Sequence, residues 1–242
     1  TQNNDSCTSS LTEMTDDAAY RQKTDAVIAA IRSGNYEAAK ANFTDEGFQM
    51  YQQLISYGKA RIVGTPNYKV FSKAGAVVVR SVPMSFSFEK GARKSFVEDV
   101  VFTFNETGKI DCIAFALDKT AANDIITQGF WPESARMTIL EFMENYKTAY
   151  CLKRLDYIES IFDDEALIIV GKVVKQFNRV GSGDTYEYAN HHAIKKTKYT
   201  KETYLKHLAA CFGSNECINI RFTNNDVVRA GKGGEVYGIQ IK

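Results

Sequence analysis

The sequence contains few of the residues that metal and redox centres need: of its 242 residues, only three are histidine and five are cysteine. No Cys-x-x-Cys pair is present, which argues against a zinc ribbon or a redox pair. His191 and His192 are neighbours on a predicted strand, where adjacent side chains point to opposite faces, so they are poorly placed to share a metal ion. We interpret His207 as a surface or boundary residue of a helix, and we expect neither a metal site nor a cofactor.

An excess of one charge and a long apolar run are also missing. The formal net charge is +1, and the parts before and after Asp118 are both nearly balanced, so neither has the positive field of a dedicated nucleic-acid-binding protein. No apolar run approaches the roughly 20 residues that a membrane span needs. Basic residues alternate with aromatic residues between Lys172 and Lys206, which is compatible with a polyanion site, although we favour a solvated β-hairpin. We therefore expect no nucleic-acid partner and no transmembrane segment.

The glycine-rich and acidic stretches lack the spacing of known ligand loops. Neither Gly181–Gly183 nor Gly231–Gly234 matches a dinucleotide or phosphate loop, and we interpret both as hairpin tips. Asp45-Glu46 and Asp163–Glu165 are too compact for a calcium loop. We interpret these acidic residues as solvated corners between helix and strand.

Residues 1–15 form a polar stretch that begins at Thr1, which predicts a flexible arm. Such an arm is typical of an exported protein whose signal peptide has been removed, so we predict a secreted or periplasmic location. There, Cys211 and Cys217 are disulfide candidates, because a reversal of the chain would bring them together, although their spacing permits this bond without forcing it. Cys112 and Cys151 lie among apolar residues and are interpreted as small core residues.

One pattern occurs twice and predicts the domain organisation. In residues 26–48 and again in residues 145–167, an amphipathic helix is followed by a polar break and a short helix that ends on Phe-x-Asp-Glu. The spacing of the two copies is that of one small domain. We therefore predict a flexible arm over residues 1–15, a first α+β domain over 16–118, a packed linker over 119–132, and a second α+β domain, complete or partial, over 133–242.

Periodicity predicts the elements of both domains. Helices are expected to start at Asp16 or Asp17, at Asn35 and at Thr44, and Gly34 is expected to end the first of them. Alternating aromatic residues then predict three antiparallel strands, from about Val77, Phe96 and Ile113. In the second domain we expect a helix from Pro132 with Ile139, Phe142, Tyr146 and Ala149 buried, a strand over 166–177, a helix capped by Thr200, and strands at 218–222 and 236–241.

The two helical segments resemble the opening of the nuclear-transport-factor-like family, also called cystatin-like or polyketide-cyclase-like. The residues that support this resemblance are Ala29-Ala30 to Phe43–Glu46, and Ala149-Tyr150 to Phe162–Ala166. The chain as a whole is similar to tandem secreted proteins of gut bacteria. The resemblance implies two tandem cone-like units, in each of which helices cross a curved antiparallel sheet and leave a pocket at the open end.

Enzymes of this superfamily place an Asp, His or Tyr inside the cone as a base or proton donor. Asp99 is the candidate here, because it lies in phase with Val97 and Val101 and a pocket would raise its pKa by desolvation. The alternative, which we favour, is that Asp99 or Glu98 pairs with a basic residue such as Arg80 on a neighbouring strand.

The leading hypothesis is a non-enzymatic, exported pair of domains that binds a small apolar ligand or a protein partner. The candidate lining of the first cone is aromatic, and these rings are also candidates for plain core residues: Phe86, Phe88, Phe96 and Phe102. One alternative is an enzyme that uses a buried carboxylate, Asp99, for proton transfer. The other is a structural envelope protein whose two units pack on a partner.

Overall fold

The structure is a computed structural model that describes residues 12–73, 75–89, 95–127, 131–180, 187–222, 225–230 and 236–241. Between 175 and 192, and after 222, only the backbone is described. Several predictions therefore lie outside the described residues: most of the N-terminal arm, part of the linker, the two glycine-rich hairpin tips, and the side chains of His191 and His192.

The chain divides into two compact units, of which the second is an insertion in the first. Unit 1 comprises residues 1–154 and 215–242, and unit 2 comprises residues 155–214. This division differs from the predicted boundaries, because residues 133–154 and 215–242, which were assigned to a second repeat, belong to unit 1.

The helices of unit 1 begin and end where the local signals predict. Helix α1 is Ala18–Ser33, with Asp17 at its N-cap and Gly34 in a left-handed conformation (φ 73°) at its C-cap. A 3-10 helix over Tyr36–Asn42 follows Asn35, and α2 is Asp45–Tyr51, continued by a π-helical turn over Gln52–Ser56. The Thr44 side chain caps α2, since its Oγ1 accepts a hydrogen bond from Gly47 N at 3.0 Å.

The six-stranded sheet of unit 1 is antiparallel, with the order β1-β3-β4-β5-β6, and β2 also pairs with β4. The predicted strands are β4 (Ala76–Ser87), β5 (Ser95–Phe104) and β6 (Ile110–Phe115). The unpredicted ones are β1 (Thr12–Glu13), β2 (Arg61–Ile62) and β3 (Lys69–Lys73), which are short or polar. A bulge between Val79 and Val82 of β4, where Ser81 has a φ of 73°, shifts the register and adds local bend to the sheet.

The two faces of this sheet are covered by different helices. The aromatic face, which includes Phe86, Phe102, Phe104 and Phe115, forms one core with α1, α2 and the turns between them. The α+β class with antiparallel sheets, and the covering of this aromatic face by the preceding helices, are confirmed. The other face has a small apolar cluster at its centre, formed by Val78, Val101, Ala114 and Ala116.

Helices α3 (Lys119–Ile126) and α4 (Glu133–Cys151) pack on each other through a third cluster that includes Ile125, Trp131 and Leu140. A short helix in residues 119–132 and the start of α4 after Pro132 are therefore confirmed, although these residues lie within unit 1 and do not link the two units. Side chains of α4 also bond backbone groups at the edge strand β6. Phe115 N donates to Thr148 Oγ1 at 2.8 Å, and Ala116 O accepts from Lys147 Nζ at 3.1 Å.

Unit 2 consists of α5 (Leu155–Ile161), a hairpin of β7 (Ile168–Val180) and β8 (Glu187–Tyr199), and α6 (Lys201–Ser214). Thr200 caps α6, because its Oγ1 accepts from Thr203 N at 3.3 Å. The strand expected over 166–177 is β7, which extends to Val180, and β8 pairs with it along its length. Several apolar side chains of the hairpin are exposed, namely Ile169, Val170, Val173 and Ile194.

The segment of unit 1 that follows unit 2 in the chain, residues 215–222, differs from the prediction. A strand was expected from the alternation of Ile218, Ile220 and Phe222, but the segment has no regular secondary structure, so this prediction is wrong. Its residues are held by side-chain contacts: Glu216 Oε1 accepts from Tyr57 OH at 3.0 Å, and Asn219 Nδ2 donates to Glu98 Oε1 at 3.0 Å. Beyond it, β9 (Asn225–Ala230) and β10 (Val236–Ile241) form a separate hairpin.

Candidate ligand-binding site

The four phenylalanines predicted to line a cone lie in the packed core of unit 1. Phe86 stacks on Phe96 at 5.3 Å between ring centroids, and Phe88 stacks on Phe96 at 5.6 Å. Phe86 also meets Phe115 edge to face at 5.2 Å, and Phe102 is fully buried in the same core. These ring contacts and the packing of the same core account for the burial of the four residues. A ligand-binding role for them stays a prediction that no described cavity supports.

Asp99 lies on the sheet face opposite the aromatic core, because it alternates with Phe96, Val100 and Phe102 along β5. Its side chain is half-buried, and its backbone oxygen accepts from Ala116 N at 2.8 Å. Arg80 does not pair with it, since Arg80 Nη2 donates to Glu144 Oε1 at 2.6 Å. Proton transfer by Asp99 therefore remains a prediction without a supporting contact.

Glu98, the neighbour of Asp99, pairs with a basic residue as the favoured alternative expected, but that residue is Lys147 of α4 rather than Arg80 on a neighbouring strand. Lys147 Nζ donates to Glu98 Oε2 at 2.6 Å, and the two side chains are only 5% and 7% exposed. Both charged groups have a second partner, Ala116 O for Lys147 and Asn219 Nδ2 for Glu98. The pair lines a cavity of about 680 Å³ together with Asp99 and Arg221. Because these two charges satisfy each other, neither offers a free contact to a ligand.

A cavity of about 380 Å³ lies between α4 and the second face of the sheet and is the strongest candidate site. Alternate residues of each strand point to this face, and residues three or four apart line one side of α4. The apolar lining residues are Ala76, Val78, Val101, Ala114, Met137 and Leu140. The polar lining residues are Lys73, Arg80, Thr103, Asp111, Cys112, Glu141, Glu144 and Asn145.

Glu144 is the most enclosed charged group of this cavity, with a side chain that is 3% exposed. Burial raises the pKa of its carboxyl, and the nearby Arg80 guanidinium opposes that effect. Glu144 Oε1 accepts from Arg80, but Glu144 Oε2 is buried and has no hydrogen-bond partner among the described residues. A buried oxygen without a partner is costly, so it is a contact that a bound molecule would complete.

The pairing of the remaining titratable groups leaves the cavity with more hydrogen-bond acceptors than donors. Lys73 is paired with Glu141, so both basic residues of the lining are occupied. Asp111 Oδ1 is a second buried carboxylate oxygen without a partner in the described chain, and burial raises the pKa of Asp111. Burial also raises the pKa of the Cys112 thiol to about 11, which keeps it neutral. With three acidic and two basic residues in its lining, the cavity fits a donor rather than an acceptor.

One feature of the α4 sequence indicates this site, although the buried stripe predicted for α4 did not include it. The predicted buried stripe of α4 was Ile139, Phe142, Tyr146 and Ala149, yet Phe142 is 39% exposed. Ile139 and Ala149 are buried as predicted, and Met137, Leu140 and Glu144 are buried as well, so the buried face of α4 is wider than predicted. An acidic residue at helical spacing from two apolar ones indicates a buried carboxylate, but only the fold shows that Arg80 meets it.

Among the described residues, no group of three or more His, Cys, Asp or Glu side chains could hold a metal ion. In the same part of the chain, no helix combines the length and apolar character needed to cross a membrane. Comparisons with protein-family models, with curated proteins and with solved structures find no match for this chain.

Proposed function

We propose that the protein is a non-enzymatic, exported binding protein whose ligand occupies the cavity between α4 and the second face of the unit 1 sheet. The observation that supports this proposal is a cavity of about 380 Å³ with a partly apolar lining and buried carboxylate oxygens that lack partners among the described residues. Ligand sites of proteins commonly combine an apolar lining with a few placed polar groups. The ligand site proposed from sequence was the aromatic face, whereas this cavity lies on the opposite face.

The ligand is proposed to be a small molecule with an apolar body and at least one hydrogen-bond donor, such as a primary amine. The apolar body suits the side chains of Val78, Val101 and Leu140. The donor suits Glu144 Oε2 or Asp111 Oδ1. A carboxylate in place of the donor would meet acidic groups whose basic neighbours are already paired.

The proposal keeps two expectations from the sequence. One is a nuclear-transport-factor-like cone, which the helix-covered sheet of unit 1 supports, whereas the predicted second copy over residues 133–242 is divided between unit 1 and unit 2. The other is export to a secreted or periplasmic location, which rests on the polar N-terminal stretch.

A thermal-shift screen with matched compounds tests the proposal. Three probes share one aromatic body and differ in the end group: 2-phenylethylamine, 2-phenylethanol and phenylacetate. A ligand at a concentration 100-fold above its Kd stabilises the folded state by about 2.7 kcal/mol, which raises the Tm by roughly 5–10 °C. We expect the amine to raise the Tm most and phenylacetate to leave it unchanged. A larger shift with phenylacetate than with the amine would contradict the proposed ligand chemistry.

Two variants locate the binding. Ala114→Leu adds side-chain volume to the floor of the cavity, so we expect it to abolish the shift caused by the amine. Ala122→Leu, a change of the same size on α3 outside this cavity, is the control and should keep the shift. If Ala114→Leu binds the amine as the control does, the ligand lies elsewhere.

The second candidate is an enzyme that uses a buried carboxylate for proton transfer, with Glu144 rather than Asp99 as the carboxylate. The observation that favours it is the raised pKa of Glu144 in a cavity, a combination that is typical of general acids and bases. Glu144→Gln separates the two functions. Loss of turnover of a bound compound, with its binding retained, would indicate the enzyme.

A further inference from the structure

We propose that Cys151 and Cys217 are a disulfide site that joins the two points where the chain leaves and re-enters unit 1. Cys151 is the last residue of α4, and Cys217 follows α6 in the irregular segment 215–222. Their Sγ atoms are 3.2 Å apart, closer than two sulfur atoms in ordinary contact. Only a small movement of the side chains is needed to form the bond.

The surroundings hold the two sulfur atoms in this position. Cys151 is on the last turn of α4, three residues after Thr148, which is bonded to β6. Cys217 lies between Glu216 and Asn219, whose side chains are bonded to Tyr57 and Glu98. Both cysteines pack against the aromatic core of unit 1. The contact is therefore set by a bonded residue before Cys151 and by bonded residues on both sides of Cys217.

The chemistry of the pair suits stepwise exchange with a small disulfide such as glutathione disulfide. The hydrogen bond from Cys151 lowers the pKa of the Cys217 thiol, whereas the same contact raises the pKa of Cys151. The Cys217 thiolate attacks one sulfur of glutathione disulfide, so that a mixed disulfide forms and one glutathione thiolate leaves. Cys151 then loses its proton and attacks Cys217 Sγ, which releases the second glutathione. Two protein thiols are oxidised, one glutathione disulfide is reduced, and the two thiol protons end on the two glutathione molecules.

The consequence of the bond is a closed loop that contains all of unit 2. The loop runs from residue 152 to residue 216, and unit 2 is residues 155–214. A cross-link across so long a loop restricts the unfolded chain strongly. It also fixes both ends of the inserted unit to unit 1 independently of any contact that unit 2 makes.

This pairing differs from the one expected from the sequence, where Cys217 was matched with Cys211. Cys211 is exposed on α6, within unit 2. Cys112, another half-buried cysteine, is not placed against a second thiol in the described chain.

Peptide mapping of the full chain tests the proposal. The reduced protein is incubated with glutathione disulfide, its remaining thiols are alkylated, and it is digested. Trypsin leaves Cys211 and Cys217 on one peptide, from His207 to Arg221, so cleavage after Glu216 by a glutamate-specific protease is added to separate them. We expect a cross-linked peptide that joins Cys151 to Cys217. Alkylation of both cysteines, or a bond from Cys217 to Cys211 or Cys7, would overturn the proposal.

The variants and a melting experiment give an independent readout. Cys217→Ser and Cys151→Ser should abolish the cross-link, whereas Cys211→Ser, the matched control, should retain it. Reduction of the oxidised wild type, which needs no substitution, should lower the Tm by about 5–10 °C, as it should in Cys211→Ser. If the oxidised and reduced wild type have the same Tm, the cross-linked loop does not stabilise the protein, which contradicts the proposal.

Discussion

Lys147 of α4 and its ion-pair partner Glu98 connect three parts of unit 1. The lysine bonds Glu98 on β5 and the backbone oxygen of Ala116, and Glu98 also bonds Asn219 from the far end of the sequence. Each charged group has lost water but has two partners in its place. Such a pair is weak evidence for net stability, but the loss of one partner is costly, because the other charge remains buried.

We predict that Lys147→Met lowers the free energy of unfolding by about 3–5 kcal/mol, measured by urea denaturation. The control is Lys73→Met, which breaks another ion pair with α4, between Lys73 and Glu141. Those side chains are 23% and 55% exposed, so the control should cost about 1 kcal/mol or less. Equal losses in the two variants would mean that the burial of Glu98 is not what makes its pair costly to break.

Glu144 gives a prediction about pH. In the unfolded chain its carboxyl ionises near pH 4.5, and burial raises the pKa in the folded state. Above pH 4.5 the folded state therefore keeps a proton that the unfolded state has released, so this residue makes the free energy of unfolding fall as pH rises through that interval. The contribution of Glu144 to the free energy of unfolding is fully present below pH 4.5 and is lost as the pH rises through the pKa of its carboxyl in the folded state.

We expect Glu144→Gln to remove this fall, so that the wild type loses stability relative to the variant above pH 4.5, by at most about 1.4 kcal/mol per pH unit. Urea denaturation at a series of pH values measures the difference. Glu141→Gln removes one negative charge from the same helix at a more exposed position and serves as the control. The explanation by burial fails if both variants change the pH dependence alike.

At the scale of elements, the contact between α2 and β6 depends on a residue without a side chain. A Cβ atom on Gly47 would lie 2.1 Å from Ile110 O, far inside any permitted contact. Thr44 N, one turn earlier, donates to the same oxygen at 2.9 Å, which fixes the distance between the elements. The helix can therefore move away from the strand only by losing that bond.

We predict that Gly47→Ala destabilises unit 1 by about 1–3 kcal/mol in thermal or urea unfolding, although alanine is the better helix former. Gly213→Ala in α6 is the matched control, because nothing lies within 4 Å of its added Cβ. The control should be neutral or stabilising by up to about 1 kcal/mol. A stabilising Gly47→Ala would show that α2 is free to shift.

At the scale of the whole molecule, unit 1 holds nearly all of the buried apolar side chains that the structure describes. The three clusters on and beside its sheet contain residues of unit 1 alone. Unit 2 buries few apolar side chains by comparison, with Ile158, Leu208 and Phe212 the described ones. A two-stranded hairpin with so small a core is marginally stable by itself.

We therefore predict that unit 1 folds without unit 2. Replacement of residues 155–214 by a short Gly/Ser linker should leave a chain that melts cooperatively, with β-sheet and helix signals in circular dichroism. Residues 155–214 alone should show no cooperative transition. An unfolded deletion variant would mean that unit 1 needs the inserted unit for its stability.

Local chemistry determined much of the element pattern. Gly34 and Thr44 fix helix ends of unit 1 through caps that involve only neighbouring residues, and the alternating aromatic residues of β4 to β6 fix one sheet face. These features follow from the sequence because they depend on contacts within a few residues or on a strict period of two.

Only the tertiary structure decided which residues from distant parts of the chain meet. The partners Glu98 and Asn219, Arg80 and Glu144, and Cys151 and Cys217 are separated by tens of residues or more, and no local pattern specifies them. The alternation at 218–222 indicated a strand that did not form, because Asn219 is bonded through its side chain and no strand of the described chain pairs with this segment. Periodicity tells which face of an element is buried, whereas packing alone decides what that face is buried against.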